Sequence, residues 1–448
     1  MFFKRLTSEG LAHFSYMIGD QDQLMVIDPR RDVQEYIDTA NAEGMRISHI
    51  LETHRHEDFT LGSVELSEKT GATICISSHE DLGYAYGEAI EDGHEIKLGS
   101  LSIRAIHTPG HTLGHLSYLV TEEGRDKAYM VFTGDALFMG DAGRTDFYGE
   151  ENLEKMTGLL YESITEKLFS LGDHVLAFPA HGHGSACGSS MEQRPYTTLG
   201  YERLFNPVLQ VDSKEEFIER FARMRIKPRY FNQMEINNVK EAPFIGHQTS
   251  LPPITLQEIR EQKAVLFDLR PKEAFMGAHI PGSIYLSKGN FSSFAGNLVD
   301  LKTPLALIHG ENAQDALLEV YTMARRIGFE EVLGYLPDAL TLWSTEGNAV
   351  GVISSISAED YRRHGEDYLV LDVRKKEEIS DDDPLFERVH VELVELDKRA
   401  QELPRDRVIY TLCASGDRAT TAASYLKSIG IDAQVIIGGM KALKSLEA

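Results

Sequence analysis

Side chains that bind transition metals follow three apolar runs in the N-terminal half of the sequence. Residues 53–58 read Thr-His-Arg-His-Glu-Asp and come directly after the apolar run 47–51. Two further stretches, His-Thr-Pro-Gly-His-Thr at 107–112 and Thr-Gly-Asp at 133–135, each end another strand-like run. Imidazole and carboxylate groups are common ligands of zinc and iron, and strands of one sheet can deliver their terminal loops to a common edge. The three stretches therefore predict one metal site.

The elements around these stretches predict a sheet scaffold. Residues 14–18 and 24–27 have the pattern of paired strands, and residues 72–77, 101–106 and 129–133 predict further strands. Apolar residues at helical spacing predict a helix from Val33 to Ala40, with Asp32 as its N-terminal cap, and a second helix over residues 64–69. Strands that alternate with motif-bearing loops are a common way for a rigid sheet to present ligands.

Length and composition limit the class of protein. A chain of 448 residues is too long for one hydrophobic core, and its length predicts about three domains. The formal net charge of −25 argues against nucleic acid or an anionic membrane surface as a partner. The three cysteines are too few for a disulfide framework, no apolar run is long enough to span a membrane, and the N-terminus lacks the features of a secretory signal. We therefore expect a cytoplasmic protein in a reducing environment.

The three motifs together resemble the metallo-β-lactamase fold, an αβ/βα sandwich. The full binuclear pattern of that fold is His-x-His-x-Asp-His, and Phe59 occupies its last position here. Because the second metal depends on that histidine, the resemblance implies a single metal held by His54, His111 and Asp135. Two histidines and one carboxylate with open coordination positions favour Fe(II) and oxygen chemistry.

The other polar residues of these stretches are expected to support the ligands. His56 and Asp58 are interpreted as hydrogen-bonding partners that orient the loop, and His181, in Pro-Ala-His at 179–181, as part of the pocket wall. His107 and His115 are interpreted as loop and strand residues rather than ligands.

Residues 143–147, Gly-Arg-Thr-Asp-Phe, together with Pro-Gly-His-Thr at 109–112, resemble the persulfide dioxygenase branch of this fold. The resemblance implies one Fe(II) per chain, with zinc only after misloading or aerobic purification, and oxidation of a thiol persulfide to the thiol and sulfite. Arg144 either orients an anionic group or forms a structural pair with Asp146. Residues 184–188 resemble a stretch of bacterial persulfide dioxygenases fused to rhodaneses, in which Cys187 either contacts the substrate or is a buried inert thiol.

An internal repeat follows a connector. Residues 239–253 contain three prolines and one glycine without clear periodicity, which is typical of a linker. Beyond it, Val-Leu-Phe-Asp-Leu-Arg at 265–270 matches Leu-Val-Leu-Asp-Val-Arg at 369–374, an offset of 372 − 268 = 104 residues. Strands that alternate with helices in each copy predict a parallel sheet.

The second repeat carries Cys413, Gly416 and Arg418 between a predicted strand and a predicted helix. Backbone N–H groups of such a turn favour an anion, so a cysteine at its centre is expected to be a reactive thiolate. The pattern resembles the active loop of rhodaneses, in which the cysteine carries sulfane sulfur as a persulfide. The repeat departs from that family at residues 381–384, Asp-Asp-Asp-Pro, where a stretch similar to Gly-His-Ile-Pro-Gly is usual.

The first repeat retains that usual stretch at 277–282 but lacks the cysteine. His309 occupies the matching position, since 309 − 268 and 413 − 372 both equal 41. Imidazole cannot hold sulfane sulfur as a stable persulfide, and residues 310–314, Gly-Glu-Asn-Ala-Gln, also lack the arginine. We therefore expect an inactive rhodanese-like domain that acts as a spacer or a docking surface.

The predicted architecture is a metallo-β-lactamase αβ/βα sandwich at 1–238, a linker at 239–253, an inactive rhodanese-like domain at 254–350 and an active one at 351–448, both parallel-sheet α/β domains. The predicted function is Fe(II)- and O2-dependent oxidation of a small thiol persulfide to sulfite, coupled to sulfur transfer with thiosulfate by Cys413. The alternatives are a glyoxalase II-like zinc hydrolase of thioesters and a non-catalytic sulfur carrier or sensor. The thiol carrier, the direction of the transfer and the oligomeric state, a homo-oligomer included, stay open.

Overall fold

The chain divides into two units, each with its own hydrophobic core. The computed structural model describes residues 1–125, 127–188, 190–194, 196–240, 242–310 and 314–446. The first unit holds Met1–Lys227 and Phe231–His247, and the second holds Pro228–Tyr230 and the chain from Gln248 onward. None of the helices in the described residues combines the length and the apolar character that a membrane span requires.

Two β-sheets form the centre of the first unit. The strands of the first sheet, adjacent in chain order, are β1 (Phe2–Ser8), β2 (His13–Asp20), β3 (Gln23–Ile27), β4 (Arg46–Leu51), β5 (Thr73–Ser77) and β6 (Glu88–Ile90). The following strands are β7 (Glu95–Leu98), β8 (Leu101–His107), β9 (Leu116–Glu122), β10 (Met130–Gly134), the hairpin of β11 (Leu137–Phe138) and β12 (Asp141–Ala142), β13 (Leu176–Pro179) and β14 (Thr197–Thr198). Except for the hairpin, these strands form the second sheet in the order β14-β13-β10-β9-β8-β7.

Helices cover the outer faces of both sheets. They are α1 (Gln34–Ala42), α2 (Ser63–Thr70), α3 (Leu153–Glu162), α4 (Leu199–Phe205), α5 (Lys214–Phe221) and α6 (Phe231–Asn237), and a π-helical segment, Ser163–Leu168, follows α3.

The alternation of side chains along each strand explains the layers. Met25 of β3 packs with Val120 of β9 in the core between the sheets, whereas the adjacent Val26 packs in a different cluster, with Tyr36 of α1. On the other side, Val131 of β10 packs with Leu160 of α3. Neighbouring strand residues point to opposite faces, so each sheet buries one face on the other sheet and one face on helices. The predicted αβ/βα sandwich is confirmed.

One local expectation is wrong. Asp32 does not cap α1, because the residue at the cap position is Val33, which makes no side-chain capping hydrogen bond. The Asp32 carboxylate instead lies 2.9 Å from Nε of Arg30, so an ion pair takes the place of the expected cap.

The second unit contains the two repeats, each built on a parallel sheet. The first repeat has α7 (Leu256–Gln262), β15 (Val265–Asp268), α8 (Lys272–Gly277), β16 (Ile284–Tyr285), α9 (Phe291–Leu298), β17 (Leu305–Ile308), α10 (Gln314–Arg326), β18 (Val332–Tyr335) and α11 (Ala339–Thr345). The second has β19 (Ser355–Ile356), α12 (Ala358–His364), β20 (Leu369–Asp372), β21 (Arg388–His390), α13 (Leu396–Arg399), β22 (Ile409–Leu412), α14 (Asp417–Ser428), β23 (Ala433–Ile436) and α15 (Gly439–Ser445). The strand orders are β16-β15-β17-β18 and β19-β23-β22-β20-β21, and the strands of each sheet pair in parallel, which confirms the predicted parallel sheets.

Candidate metal centre and cysteine loop

The predicted ligands come from loops that follow different strands of the first unit. His54 lies in the loop after β4, His111 in the connection from β8 to β9, Asp135 directly after β10, and His181 shortly after β13. All four side chains are buried. The strands of two sheets thus deliver residues that are distant in sequence to one place.

Three of these side chains direct donor atoms toward one another. Nε2 of His111 lies 3.4 Å from Oδ2 of Asp135, and Nε2 of His54 lies 3.8 Å from the same oxygen. Within the described residues, neither Nε2 atom has a hydrogen-bond partner. Buried imidazole nitrogens are normally satisfied, so two unsatisfied ones beside a carboxylate fit a cation that accepts their lone pairs.

Hydrogen bonds at the opposite ring nitrogens orient both histidines. Nδ1 of His111 lies 2.8 Å from the backbone oxygen of Arg144 and donates to it, which leaves the Nε2 lone pair free. Nδ1 of His54 lies 2.9 Å from Oγ1 of Thr53, whose hydroxyl in turn donates to Asp28 at 2.8 Å. This hydrogen-bond pattern sets the tautomer that a metal ligand requires.

His56, Asp58 and His181 form a second group beside the first. Their ligand atoms lie within 4.8 Å of one another. His181 also contacts Asp135, with 2.8 Å between Nδ1 and Oδ1, and its Nε2 lies 3.0 Å from Oδ2 of Asp58. The ring of Phe59 is centred 4.7 Å from that of His56, so an apolar ring stands next to this group.

The charges of the cluster favour an anionic Asp135 beside a neutral His54. Burial alone would raise the pKa of Asp135, but His181 and His111 hold it below its usual range. Burial, together with the neighbouring imidazoles, lowers the pKa of His54 far below its ordinary value. A deprotonated carboxylate and a neutral imidazole are the forms that bind metal ions.

Two residues of the site were missed by the sequence prediction. Glu57 is buried, and its Oε2 lies 3.6 Å from Nε2 of His111, so it belongs to a further potential ligand group with His54 and His111. His115 accepts the backbone N–H of Asp135 at 2.9 Å, and burial lowers its pKa to about 3, which keeps this acceptor neutral. The sequence could have indicated Glu57, because it lies inside the motif at 53–58. No local pattern marks His115 as a partner of Asp135.

The stretch 143–147 builds one wall of the site. A Cβ atom on Gly143 would lie 2.0 Å from the backbone oxygen of Asp135, so only glycine fits there. Nε and Nη2 of Arg144 each donate to the Asp146 carboxylate at 2.7 Å, the pair that the sequence left as one alternative. The backbone N–H of Arg144 also donates to the backbone oxygen of Cys187, 3.1 Å away.

Cys187 is buried beside the ligands. With His111 and Asp135 it forms a group whose ligand atoms lie within 4.8 Å of one another, and its side chain packs against Phe138 and Met191. Burial, and then the nearby carboxylates, raise the pKa of its thiol well above the usual value. The side chain therefore lies inside the cluster of potential metal ligands.

The cysteine loop of the second repeat lies between β22 and α14. The Cys413 sulfur accepts the backbone N–H groups of Gly416 at 3.1 Å and Ala419 at 3.4 Å. Gly416 has a φ of +97°, a conformation that glycine adopts without strain. Arg418 donates to both carboxylate oxygens of Glu378, at 2.6 and 2.7 Å. Backbone amides thus converge on the sulfur and can stabilise negative charge on it.

The corresponding part of the first repeat is different. His309 follows β17, at the position that Cys413 occupies after β22, and its Nδ1 lies 3.3 Å from the oxygen of Gly310. Residues 311–313 of the predicted cysteine-free loop lie outside the described residues. The stretch 381–384, where the second repeat departs from the family, places the Asp383 carboxylate 2.7 Å from Nη2 of Arg374.

Known proteins match both parts of the chain. The Metallo-beta-lactamase superfamily matches residues 9–181, and the Rhodanese-like domain matches residues 252–346 and 357–446. The persulfide dioxygenase ETHE1 of Homo sapiens, described as mitochondrial, is 32% identical over 214 residues, which cover 46% of this chain and 74% of that protein. A hydroxyacylglutathione hydrolase from a Polaromonas species is 30% identical over 182 residues, covering 40% of this chain and 65% of that protein.

A solved structure also covers most of the chain. The crystal structure of a metallo-beta-lactamase from Staphylococcus aureus subsp. aureus COL is 31% identical, has a TM-score of 0.67 and covers 75% of this chain and 98% of that chain. Together these matches confirm the fusion that the motifs predict. The chain therefore belongs to the persulfide dioxygenase family of the metallo-β-lactamase superfamily and carries two rhodanese-like domains after that first domain.

Proposed function

We propose that the first unit oxidises a low-molecular-weight thiol persulfide with Fe(II) and O2, and that the second unit transfers sulfane sulfur through Cys413. The observation that carries the first half is the buried cluster of His54, His111 and Asp135, with two Nε2 atoms directed at one carboxylate oxygen. The likeness to persulfide dioxygenases supports the choice of reaction.

The proposed reaction is RSSH + O2 + H2O → RSH + sulfite + 2 H⁺. The outer sulfur of the persulfide is oxidised, O2 is reduced, and the thiol leaves with the proton that balances its charge. Iron(II), held by His54, His111 and Asp135, would supply the one-electron chemistry through which O2 reacts with a closed-shell sulfur compound.

The remaining residues of the cluster fix the ligands and limit access of water. His115 accepts the backbone N–H of Asp135, and His181 binds its carboxylate. The backbone carbonyl of Arg144 accepts from the His111 ring and so orients it. Asp135, His111, His115 and His181 each have 0% of their surface exposed, so the ligand set is preorganised and shielded from bulk water. We assign His56 and Asp58 to the support of the loop, and Cys187 to the wall of the substrate site as a neutral thiol.

For the second half, the Cys413 thiolate takes sulfane sulfur and holds it as a persulfide. The backbone N–H groups of Gly416 and Ala419 stabilise the thiolate both before attack and when it departs. This group transfer needs neither iron nor O2.

One observation favours a second candidate, a zinc hydrolase of thioesters. The group of His56, Asp58 and His181 offers a second set of metal donors, and one relative of the first domain is a hydroxyacylglutathione hydrolase. Such a hydrolase needs a zinc-bound hydroxide rather than an O2-reactive iron.

Anaerobic loading with iron or zinc separates the candidates. The proposal expects about one iron per chain and rapid O2 uptake with glutathione persulfide, bacillithiol persulfide or coenzyme A persulfide, and it expects no hydrolysis of S-lactoylglutathione. The variant Asp135→Ala should lose both iron and O2 uptake, while His94→Ala, a change at an exposed histidine of the same unit, should keep both. Two zinc ions and thioester hydrolysis would support the hydrolase instead, and a sulfur carrier would consume no O2.

A further inference from the structure

The first repeat lacks the cysteine but packs against the Cys413 loop of the second repeat. Nζ of Lys272, at the start of α8, donates to the backbone oxygen of Ser415 at 3.4 Å. A Cβ atom on Gly416 would lie 3.9 Å from that same ammonium nitrogen. The cation of the first repeat therefore lies against the loop that carries Cys413.

A cluster of hydrogen bonds fixes this arrangement. The carboxylate of Asp417, the first residue of α14, accepts from the hydroxyl of Tyr285 at 2.7 Å, from the hydroxyl of Ser287 at 2.8 Å and from the amide of Asn290. All three donors belong to the first repeat. Since Asp417 directly follows Gly416, these hydrogen bonds fix the position of the loop relative to the first repeat, which carries Lys272.

The charges near the loop make the position of Lys272 important. Arg418 is engaged in a two-point ion pair with Glu378, which offsets much of its charge. The Lys272 ammonium is partly exposed, and the Glu273 carboxylate lies 3.9 Å from it. It is therefore a cation at the loop that can also interact with an anion arriving from solvent.

We propose that Lys272 of the inactive repeat completes the sulfur-transfer site by binding the sulfonate group of thiosulfate, or sulfite, beside Cys413. The proposal rests on the rhodanese half of the proposed function. The Cys413 thiolate attacks the outer sulfur of thiosulfate, the S–S bond breaks, and sulfite leaves with the electron pair while a persulfide forms on Cys413. Attack by sulfite on that persulfide is the reverse step. Both directions bring a dianion to an anionic sulfur, and a positive charge at the loop lowers that repulsion.

The inactive repeat thereby acquires a role in substrate selection. Lys272 does not form or break a bond, so its contribution is to select donors and acceptors that carry a sulfonate or sulfite group. An alkyl persulfide without such a group gains nothing from it. This difference separates a role in anion binding from a purely structural role of α8.

Steady-state sulfur transfer to cyanide by the full chain, with thiosulfate or an alkyl persulfide that carries no sulfonate group as donor, tests this proposal. For Lys272→Ala we expect kcat/KM for thiosulfate to fall roughly fivefold, mainly through KM. The value for the alkyl persulfide should fall much less, and Lys272→Arg should keep most of the thiosulfate activity. Added salt should depress the parent enzyme's thiosulfate activity more than that of Lys272→Ala. The matched control is Lys302→Ala, at an exposed lysine of the same repeat.

The outcomes are distinct. An equal loss of kcat/KM with both donors in Lys272→Ala, or no loss with thiosulfate, would overturn the role of Lys272. The proposed function would still stand if the parent enzyme transfers sulfur in a way that depends on Cys413. A parent enzyme that takes no sulfur from thiosulfate would overturn both the inference and the rhodanese half of the function.

Discussion

At the scale of single residues, Phe59 distinguishes this site from a binuclear one. Its ring lies 4.7 Å from the ring of His56 and 6.4 Å from the ring of His181, both in the second potential ligand group. A phenyl ring offers no lone pair, so His56, Asp58 and His181 are left with three donors. We therefore propose that the second group binds a metal only weakly and that the single resident metal lies in the cluster of His54, His111 and Asp135.

The variant Phe59→His is expected to add a second metal ion. The new imidazole would stand beside His56 and His181 and raise the donor count of that group to four. Metal analysis after anaerobic loading and desalting should show about one ion per chain in the parent and nearly two in the variant. Phe205→His, which adds an imidazole at a residue that is 60% exposed, should bind no more metal than the parent. Two ions in the parent would contradict this account of Phe59.

The proposed ligands could be selected from the sequence because each lies in a local motif, and the structure brings their side chains together. Their hydrogen-bonding partners could not, since the contacts join distant segments. Thr53 binds Asp28 across 25 residues, His111 binds the Arg144 carbonyl across 33, and His181 binds Asp135 across 46. These pairings depend on how the two sheets pack, and no short pattern encodes them.

At the scale of elements, the turn after β15 in the first repeat and the turn after β20 in the second are each held by an Asp–Arg pair. Arg270 binds Asp268 and the Ala278 carbonyl, whereas Arg374 binds Asp372 and Asp383. Arg374 also donates to the backbone oxygen of Glu378 at 2.9 Å, so the buried Asp383 carboxylate is a further acceptor beside a backbone carbonyl. The Asp-rich stretch at 381–384, where the repeat departs from the family, thus supplies this arginine with a second charged partner.

The variant Asp383→Asn should lower the stability of the folded second repeat above pH 4. Burial alone would raise the pKa of Asp383, but hydrogen bonds from Arg374 and Lys444 hold it below its usual range. A carboxyl group with a lowered folded-state pKa contributes stability above its unfolded value, about 3.9, and this contribution is lost as the pH falls toward the folded value. Hydrogen exchange of the β20 and β22 amides should show that the free energy of unfolding falls by about 1–3 kcal/mol at pH 7 and by less below pH 4.

The control for that measurement is the neighbouring Asp382→Asn. Asp382 is exposed, so the free energies of exchange of the β20 and β22 amides in this variant should match those of the parent at every pH. A penalty for Asp383→Asn that is independent of pH would contradict the ion-pair explanation and indicate a packing effect.

At the scale of the whole molecule, the proposed function requires a strongly acidic chain to bind anionic sulfur compounds. Its formal charge of −25 repels sulfite and thiosulfate at long range, although salt screens this repulsion beyond about 8 Å. Local cations and backbone amides therefore have to capture the anions at the sites. The internal repeat predicted both rhodanese-like folds, but not the contact of Lys272 with Ser415, which are 143 residues apart.

In the function that we propose, the two activities divide the reaction between the units. Oxidation would require iron and O2 but no thiolate from the Cys413 loop. Sulfite released by oxidation would then attack a persulfide on Cys413 as a nucleophile, which yields thiosulfate and regenerates the thiolate. The reverse direction, in which thiosulfate feeds persulfide toward the iron site, uses the same cysteine.

The most direct test measures O2 consumption and sulfur products together in the iron-loaded variant Cys413→Ser with a small thiol persulfide. The reaction stoichiometry predicts one sulfite for each O2 consumed, at nearly the parent rate, with the product shifted from thiosulfate to free sulfite. Loss of O2 uptake in this variant, or as much thiosulfate as the parent makes, would contradict the assignment of oxidation to the first unit and of sulfur transfer to Cys413.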